Sequence, residues 1–303
     1  MRPEHRRVYP PKKRDKARIA FYSALGAFFL WGFVLESFLF LRTDYTVSIP
    51  TLPVGCEGVR IAVAGDWHIG SEHVSPARAK RLAQEVADTQ PDLILLPGDF
   101  LAHGILFKTL PMETIAPSLA PLAKAAPVYA VLGNHDHVGF SPIQIITPLN
   151  KQGITVVFNA NTEVSLRKGA CKFRLVGIAD NLVGISSPGM ALEGIPKGEV
   201  KIGLTHTPSI YPEVANKLDL LVAGHTHGGV LCVPLTKLCV SRFSAWGSEW
   251  IKGAYQPEGF RAPLIINNGV GNSILPLRFS APPGYDILTL HRGGVGKTTI
   301  REN

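Results

Sequence analysis

The sequence predicts an α/β fold in which helices cover a mostly parallel sheet. Short apolar runs bounded by glycine, proline or polar residues recur along the chain, as is typical of strands buried on both faces. Five of these runs lead directly into an aspartate, an asparagine or a histidine. Because ligands bind at the carboxyl ends of the strands in open α/β sheets, the same pattern also predicts where a site lies.

The polar residues follow the predicted strands in a regular order. The five strands and the residues beyond them are 59–64 with Asp66 and His68, 92–96 with Asp99, 128–132 with Asn134, His135 and Asp136, 200–204 with His206, and 218–223 with His225 and His227. After the first strand, Ser75 as N-cap and Pro76 in the first turn predict a helix, and Leu82 and Val86 lie on its apolar face.

The remainder of the chain predicts a hairpin and a late strand. Alternating segments at 163–166 and 172–178 are typical of an antiparallel pair. Beyond a strand at 286–290, the segment 292–299 resembles the phosphate loop of the ParA-like ATPases. That loop needs a following helix to direct its amides at phosphate, and the chain stops at Asn303. We therefore expect a flexible basic tail here.

The residues at the strand ends suit a pair of divalent metal ions. Such a pair needs a shared carboxylate, several imidazoles and open positions for water and substrate. The predicted ligands are Asp66, His68, Asp99, Asn134, His206, His225 and His227. Asp99 is the expected bridge between the ions, and Asn134 offers a neutral carbonyl oxygen. The resulting positive site would accept an anionic phosphate ester, whereas His73, His103 and His137 are expected to be ordinary loop residues.

These motifs resemble those of the calcineurin-like metallophosphoesterases. The segments that carry the resemblance are 65–68, 98–99, 133–136, 205–206 and 224–227. The match covers residues 59 to about 230, with weaker continuations at 268–271 and 275–279. The resemblance implies a four-layer α/β/β/α sandwich, two Mn, Fe or Zn ions, and attack on phosphorus by a metal-bridging hydroxide.

The resemblance also implies roles for two residues that are not ligands. His135 would contact the phosphoryl oxygen or the leaving group, and Asp136 would orient His135. One departure concerns the outer substrate contacts: many members have an acidic residue three positions after the bridging aspartate, where this chain has Ala102 followed by His103.

The start of the chain predicts a membrane anchor. Residues 1–18 contain eight lysines or arginines against two acidic residues, which accounts for most of the net charge of +8 and leaves a nucleic-acid-binding face unsupported. Residues 19–41 are almost wholly apolar and long enough to cross a bilayer. With the basic residues before this span, the positive-inside rule places the N-terminus in the cytoplasm and the catalytic domain outside it. Glu36 leaves open a shallower, monotopic anchor with the domain on either side.

The expected organisation is therefore a single-pass protein of the bacterial inner membrane. It comprises a basic cytoplasmic tail (1–18), a transmembrane anchor (19–41), a linker and edge strand (42–58) and a metallophosphoesterase domain (59–303). A cleaved signal peptide and a buried core helix are the alternatives to the anchor. If the domain lies outside the cytoplasm, Cys232 and Cys239 could close a small hairpin; otherwise all four cysteines are expected to be small hydrophobic residues.

A basic tail, an anchor and this C-terminal region together resemble the membrane-associated bacterial phosphodiesterase branch, which includes a UDP-2,3-diacylglucosamine pyrophosphatase. The resemblance implies cleavage of a phosphodiester or pyrophosphate bond in a lipid-linked or nucleotide-lipid substrate at the membrane. A phosphomonoesterase, a protein phosphatase and a low-turnover metal-binding scaffold stay open as alternatives, as do the native metals and the oligomeric state. The apolar residues expected to flank the site and to meet acyl chains are Trp67, Phe100, Leu101 and Phe140.

Overall fold

The computed structural model describes residues 13–104, 109–234, 239–240, 250–272, 276–294 and 296–303. The strands are β1 (Leu41–Ile49), β2 (Arg60–Val63), β3 (Leu93–Leu96), β4 (Val128–Ala130), β5 (Ile154–Val156), β6 (Ala160–Leu166), β7 (Cys171–Ile178), β8 (Lys201–Thr205), β9 (Leu220–Ala223), β10 (Leu231–Cys232), β11 (Cys239–Val240), β12 (Gly253–Tyr255), β13 (Leu264–Ile266), β14 (Gly284–Arg292) and β15 (Thr299–Glu302). The helices are α1 (Lys13–Leu30), α2 (Glu36–Phe38), α3 (Pro76–Asp88), α4 (Met112–Ile115), α5 (Ala120–Ala125), α6 (Pro142–Lys151), α7 (Pro188–Leu192) and α8 (Tyr211–Val214).

Two sheets form the centre of the molecule. The first has the strand order β15-β1-β14-β2-β3-β4-β5 and the second the order β12-β13-β9-β8-β7-β6. Strands β2 to β5 are parallel to one another, and so are β7, β8, β9 and β13. The carboxyl ends of the central strands therefore lie at one edge of each sheet.

Side-chain alternation along the strands produces four layers. Val63 of β2 packs between the sheets, whereas Ala62 faces the helices outside the first sheet. In β9, Val222 packs between the sheets and Leu221 faces α7 and α8. Since adjacent residues of a strand point to opposite faces, each sheet contributes to two cores. The predicted α/β/β/α sandwich is confirmed.

The local signals for the predicted helix and hairpin are also confirmed. The Ser75 hydroxyl accepts a hydrogen bond from the Arg78 backbone N–H at 3.3 Å, at the start of α3. Leu82 and Val86 on the same helix are buried. Strands β6 and β7 pair antiparallel, with Leu166 opposite Cys171 next to the turn.

Strand β1, which follows the N-terminal helical stretch, pairs with the last strand, β15, in the first sheet. We expected an edge strand within 42–58, but β1 begins at Leu41 and is covered by β15, which forms the edge. The expected flexible tail after residue 290 is wrong for the same reason: β14 continues to Arg292, and Thr299–Glu302 pairs with β1. No helix follows the 292–299 segment in the described part of the chain, so the segment lacks the context of a phosphate loop.

One helical stretch, Lys16–Phe38, is long and apolar enough to cross a membrane by length and composition. A π-helical turn at Trp31–Leu35 joins α1 to α2. The predicted anchor extends three residues too far, because the helix ends at Phe38 and Leu41 already belongs to β1. Residues 1–12 of the expected basic tail lie outside the described residues.

The C-terminal part of this helical stretch docks on the domain. Glu36, its one acidic residue, is buried and accepts hydrogen bonds from the Ala281 backbone N–H at 2.7 Å and the Trp31 indole N–H at 2.5 Å. The Gly32 carbonyl accepts a hydrogen bond from the Arg278 backbone N–H at 2.9 Å. The charge within the apolar segment is therefore satisfied by the protein.

All four cysteines form disulfides. Cys232 pairs with Cys239, as expected for a domain outside the cytoplasm, and closes the small β10–β11 hairpin. Cys56 pairs with Cys171 across 115 residues of sequence, a link for which the sequence offers no spacing signal. The alternative that all four are free small hydrophobic residues is wrong.

Candidate metal centre

The predicted ligands meet where the carboxyl edges of the two sheets face each other. Asp66, Asp99 and Asn134 follow strands of the first sheet, and His206, His225 and His227 follow strands of the second. Five of the ligand candidates have left-handed backbone conformations: Asp66 (φ 49°), His68 (φ 39°), Asp99 (φ 56°), His225 (φ 70°) and His227 (φ 52°). Such conformations cost about 1–3 kcal/mol each and cluster at functional sites.

The first group of ligand atoms comes from Asp66, His68 and His227, and these atoms lie within 4.8 Å of one another. The Nε2 atoms of His68 and His227 are 3.1 Å apart. Nε2 of His227 is 3.5 Å from Oδ1 of Asp66. All three residues are buried.

The second group comes from Asp99, His206 and His225, again within 4.8 Å of one another. Nε2 of His206 is 3.1 Å from Nδ1 of His225 and 3.1 Å from Oδ1 of Asn134. The Asn134 side-chain oxygen therefore lies next to this group, where Asn134 could serve as a neutral ligand.

Asp99 lies between the two groups. Its Oδ2 is 3.2 Å from Nε2 of His206 and 3.5 Å from Nε2 of His68. One oxygen of one carboxylate thus contacts a histidine of each group, which permits the predicted bridging role.

Backbone carbonyls lie close to Nδ1 of three of the imidazoles. Nδ1 of His68 is 3.0 Å from the Leu101 carbonyl oxygen, and Nδ1 of His206 is 2.7 Å from that of Pro97. Nδ1 of His227 is 3.2 Å from the Gly271 carbonyl oxygen. The Leu101 and Pro97 carbonyls can each accept a hydrogen bond from Nδ1, which directs Nε2 of His68 and His206 at the site. Nδ1 of His227 also lies 3.1 Å from the Arg278 guanidinium, which can only donate.

This arrangement fits a metal because nitrogen and oxygen ligand atoms converge on one point. The Nε2 atoms of His68 and His227 are 3.1 Å apart, and an oxygen of the Asp66 carboxylate is 3.5 Å from the second of them. A cation between them could bind all three residues. Imidazole nitrogens with carboxylate oxygens suit Zn, Fe or Mn.

Burial and neighbouring charges shift the pKa values of the site histidines in opposite directions. Burial lowers the pKa of His68 to about 3 and that of His225 to about 4, and it lowers the pKa of His227 well below its ordinary value. Burial also opposes a charge on His206, but Asp99 outweighs this and raises the His206 pKa well above its ordinary value. Asp99 and His206 therefore form an ion pair, whose proton a metal would displace.

His135 lies beside the first group. Its backbone N–H donates to Oδ1 of Asp99 at 2.8 Å, and its ring centroid is 4.9 Å from that of His68. The side chain is half-buried, so it can reach both the site and a bound molecule. The ring of His103, which we expected to be an ordinary loop residue, is 5.6 Å from the His135 ring.

Asp136 does not act as predicted. Its carboxylate accepts four hydrogen bonds from backbone N–H groups, those of Asp99 (2.9 Å), Phe100 (2.8 Å), Leu101 (3.1 Å) and Gly133 (3.0 Å). These four bonds use the lone pairs of both oxygens. The carboxylate therefore fixes the loop that carries Asp99 rather than orienting the His135 ring.

Gly133 and Gly224 lie too close to ligand carboxylates to carry a side chain. A Cβ on Gly133 would lie 2.2 Å from Oδ1 of Asp99, and one on Gly224 would lie 2.6 Å from Oδ2 of Asp66. Any side chain at these positions would displace a carboxylate of the site.

Sequence reasoning missed two buried residues at the site. Arg278 donates to the carbonyl oxygen of His227 at 2.6 Å and to that of Asn268 at 2.8 Å, so it fixes the loop that carries His227. Asp180 accepts a hydrogen bond from the Thr207 hydroxyl at 2.7 Å and contributes to the field at His206. The signal for Asp180 was available, because it follows β7 in the same way that the other site residues follow their strands.

Comparisons with known proteins agree with this geometry. A family model described as calcineurin-like phosphoesterase matches residues 59–229. Phosphodiesterase YaeI of Escherichia coli (strain K12) is 37% identical over 216 residues, which is 67% of this chain and 72% of the relative. The uncharacterized metallophosphoesterase YkuE of Bacillus subtilis (strain 168) is 26% identical and covers 84% of this chain and 87% of its own length.

A more distant relative carries a more specific name. UDP-2,3-diacylglucosamine pyrophosphatase LpxG of Chlamydia muridarum (strain MoPn / Nigg) is 22% identical over 86% of this chain and 92% of its own length.

Proposed function

Since the chain belongs to the calcineurin-like phosphoesterase family and is a metal-dependent phosphoesterase, we propose that it hydrolyses phosphodiester or pyrophosphate bonds in a lipid-linked substrate. The observation that carries the proposal is the pair of ligand groups joined through Asp99. Two divalent ions bound there would activate water and neutralise the charge of the phosphate.

Other residues of the site position Asp99 and would contact the substrate. The Asp136 carboxylate holds the Asp99 loop through four backbone N–H groups, so the carboxylate of Asp99 stays between the two groups. His135, placed beside His68 and half-exposed, would hydrogen-bond a phosphoryl oxygen or protonate the departing oxygen. Five ligand candidates have left-handed backbone conformations. The surrounding fold maintains this strain, as is typical of preorganised sites.

The relatives support both bond types. The E. coli relative is named a phosphodiesterase, and the C. muridarum relative is named for cleaving the pyrophosphate of a nucleotide-linked lipid. The second name supports a substrate such as UDP-2,3-diacylglucosamine, whose acyl chains would lie in the membrane.

The membrane placement is part of the proposal. The helix Lys16–Phe38 would anchor the protein in the bacterial inner membrane, with the basic residues that precede it on the cytoplasmic side. Two disulfides support a catalytic domain outside the cytoplasm, because the cytoplasm keeps thiols reduced. A reporter fused after Asn303 would be active only outside the cytoplasm, and a reporter active in the cytoplasm would refute this placement.

One assay tests the reaction. The full-length protein loaded with Mn²⁺ should release nitrophenol from bis(p-nitrophenyl) phosphate faster than from p-nitrophenyl phosphate, and metal removal should abolish both reactions. A preference for the monoester would favour a phosphomonoesterase or protein phosphatase. No release with Mn²⁺, Fe²⁺ or Zn²⁺ would favour a binding scaffold.

A further inference from the structure

An apolar groove of about 490 Å³ lies between the N-terminal helix and the β10–β11 hairpin. Among the described residues, its lining comprises Phe28, Leu231, Val233, Pro234, Phe279 and the Cys232–Cys239 disulfide. None of these described side chains carries a charge. The volume falls within the range of about 300–1,000 Å³ that is common for small-molecule sites.

One wall of the groove belongs to the helix proposed to lie in the membrane. The ring of Phe28 packs on that of Phe279 with 4.7 Å between centroids. Phe28 precedes Phe38, the last helical residue, by about 15 Å at 1.5 Å per residue. In the proposed placement, the wall at Phe28 therefore lies further towards the bilayer than the end of the helix. Val233, on the opposite wall, is exposed.

The other side of the groove adjoins the metal centre. Sγ of Cys232 is 3.1 Å from the Gly228 carbonyl oxygen, and Sγ of Cys239 is 3.6 Å from the same atom. Gly228 directly follows the ligand candidate His227. The groove therefore extends from the helix proposed to lie in the membrane to the loop that carries His227.

Backbone hydrogen bonds join the Phe279 segment to both walls. The Phe279 N–H donates to the Val230 carbonyl at 2.7 Å, and the Cys232 N–H donates to the Phe279 carbonyl at 2.8 Å. On the helix side, the Arg278 N–H donates to the Gly32 carbonyl at 2.9 Å. The groove is therefore built into the fold.

We propose that this groove binds an acyl chain of the substrate whose phosphate lies at the metal centre. The proposal rests on the proposed function and adds where the lipid part binds. An acyl chain matches the uncharged lining and can enter directly from the bilayer beside Phe28, whereas a polar ligand would have to cross lipid to reach this side. Three of the four residues first expected to meet acyl chains, Trp67, Phe100 and Leu101, are fully buried in the core and cannot do so. The fourth, Phe140, is partly buried against the same core.

Alkyl phosphonates test the groove without requiring turnover. The full-length protein in phosphatidylcholine nanodiscs, loaded with Mn²⁺, is titrated with methyl-, butyl- and octylphosphonate by calorimetry. We expect affinity to rise with chain length by up to about fourfold for each methylene that enters the groove.

Variants on opposite walls localise the effect. Val233→Asp and Phe28→Ala should leave methylphosphonate affinity unchanged and remove most of the increase towards octylphosphonate. Val54→Asp is the control, since Val54 is 71% exposed and does not line the groove. The control is measured in the same nanodiscs, so partition of the phosphonates into lipid cancels in the comparison.

The outcomes distinguish acyl-chain binding in the groove from hydrolysis at the metal centre. Equal affinity for methyl- and octylphosphonate would contradict acyl-chain binding in the groove. The same would follow if both wall variants kept the full increase in affinity with chain length. If bis(p-nitrophenyl) phosphate is not hydrolysed while the increase persists and depends on Val233, then the proposed reaction fails and the groove stands.

Discussion

At the scale of single residues, the two ligand groups depend on Asp99. Its Oδ2 contacts His68 in one group and His206 in the other. Without that negative charge, two dications would repel each other across a short distance with nothing between them. Asp99 is therefore expected to determine how many metal ions bind, as well as how tightly they bind.

We predict that Asp99→Asn removes at least one of two bound metal ions and abolishes activity. Metal content per chain, measured by mass spectrometry after desalting, checks this. Asp88→Asn is a control, because Asp88 is an exposed carboxylate that accepts only a local hydrogen bond from Gln84. Two ions per chain in the Asp99 variant would exclude a bridging role.

His135 is predicted to act on the substrate and not on the metals. His135→Ala should retain both ions and lower kcat by roughly 10²–10⁴-fold, with a smaller loss for esters that have good leaving groups. A series of aryl phosphodiesters of graded leaving-group pKa measures this. Equal losses across the series would contradict a proton transfer to the leaving group.

The ligands were predictable at this scale, and their supporting residues were not. Asp66, Asp99 and His206 follow apolar strands closely in the sequence, so the sequence alone is enough to predict them as ligands. Arg278 becomes relevant only because its loop folds against the His227 loop, 51 residues away in the chain. The predicted role of Asp136 was wrong because neighbours in sequence need not point at each other: the side chain turns back to the Asp99 loop.

At the scale of elements, the Cys56–Cys171 disulfide joins the turn after β1 to the start of β7, and therefore joins the two sheets. It closes a loop of 115 residues, against seven for Cys232–Cys239. In the chain-entropy model the long loop stabilises the fold by about 5 kcal/mol and the short one by about 2 kcal/mol.

We predict that replacing Cys56 and Cys171 by serine lowers the free energy of unfolding by more than replacing Cys232 and Cys239. Guanidinium unfolding of both double variants, under oxidising conditions, measures the difference. The short loop serves as the internal control. A larger loss from the Cys232 and Cys239 pair would show that the entropic effect of loop length does not dominate.

Strands with polar residues at their ends were predictable, whereas the outer strands of the first sheet were not. Leu41 continues the apolar run of the helix, and composition alone does not distinguish the end of a helix from the start of a strand there. Residues 299–302 are partly exposed and polar, since β15 lies at the sheet edge, and so the sequence gives them little strand character.

At the scale of the whole molecule, the helix and the domain form a continuous unit. Ser37 accepts a hydrogen bond from the Asn272 side chain at 3.1 Å, and Asn272 accepts one from Arg278 at 2.8 Å. Arg278 in turn holds the His227 carbonyl. The end of the helix is thus three contacts from a metal-ligand candidate. Length and hydropathy predicted the helix but could not predict this docking.

Two truncations should therefore behave differently. Deleting residues 1–27 keeps the docked turn and should preserve hydrolysis of bis(p-nitrophenyl) phosphate while reducing activity on an amphiphilic phosphodiester in vesicles. Deleting residues 1–38 also removes Glu36 and Ser37, and should lower both the melting temperature and metal content. Equal behaviour of the two truncations would mean that the docked turn does not support the site.

The pairing of β1 also bears on how the protein is made. Leu41 pairs with Gly284 and Ile49 with Arg292, so the strand that follows the N-terminal helix finds its partners only near the end of synthesis. At about 5–20 residues per second, a ribosome needs on the order of ten seconds or more to deliver β14. During that time β1 presents unpaired backbone N–H and C=O groups. A stalled or nicked chain would keep that strand unpaired and open to pairing with another chain.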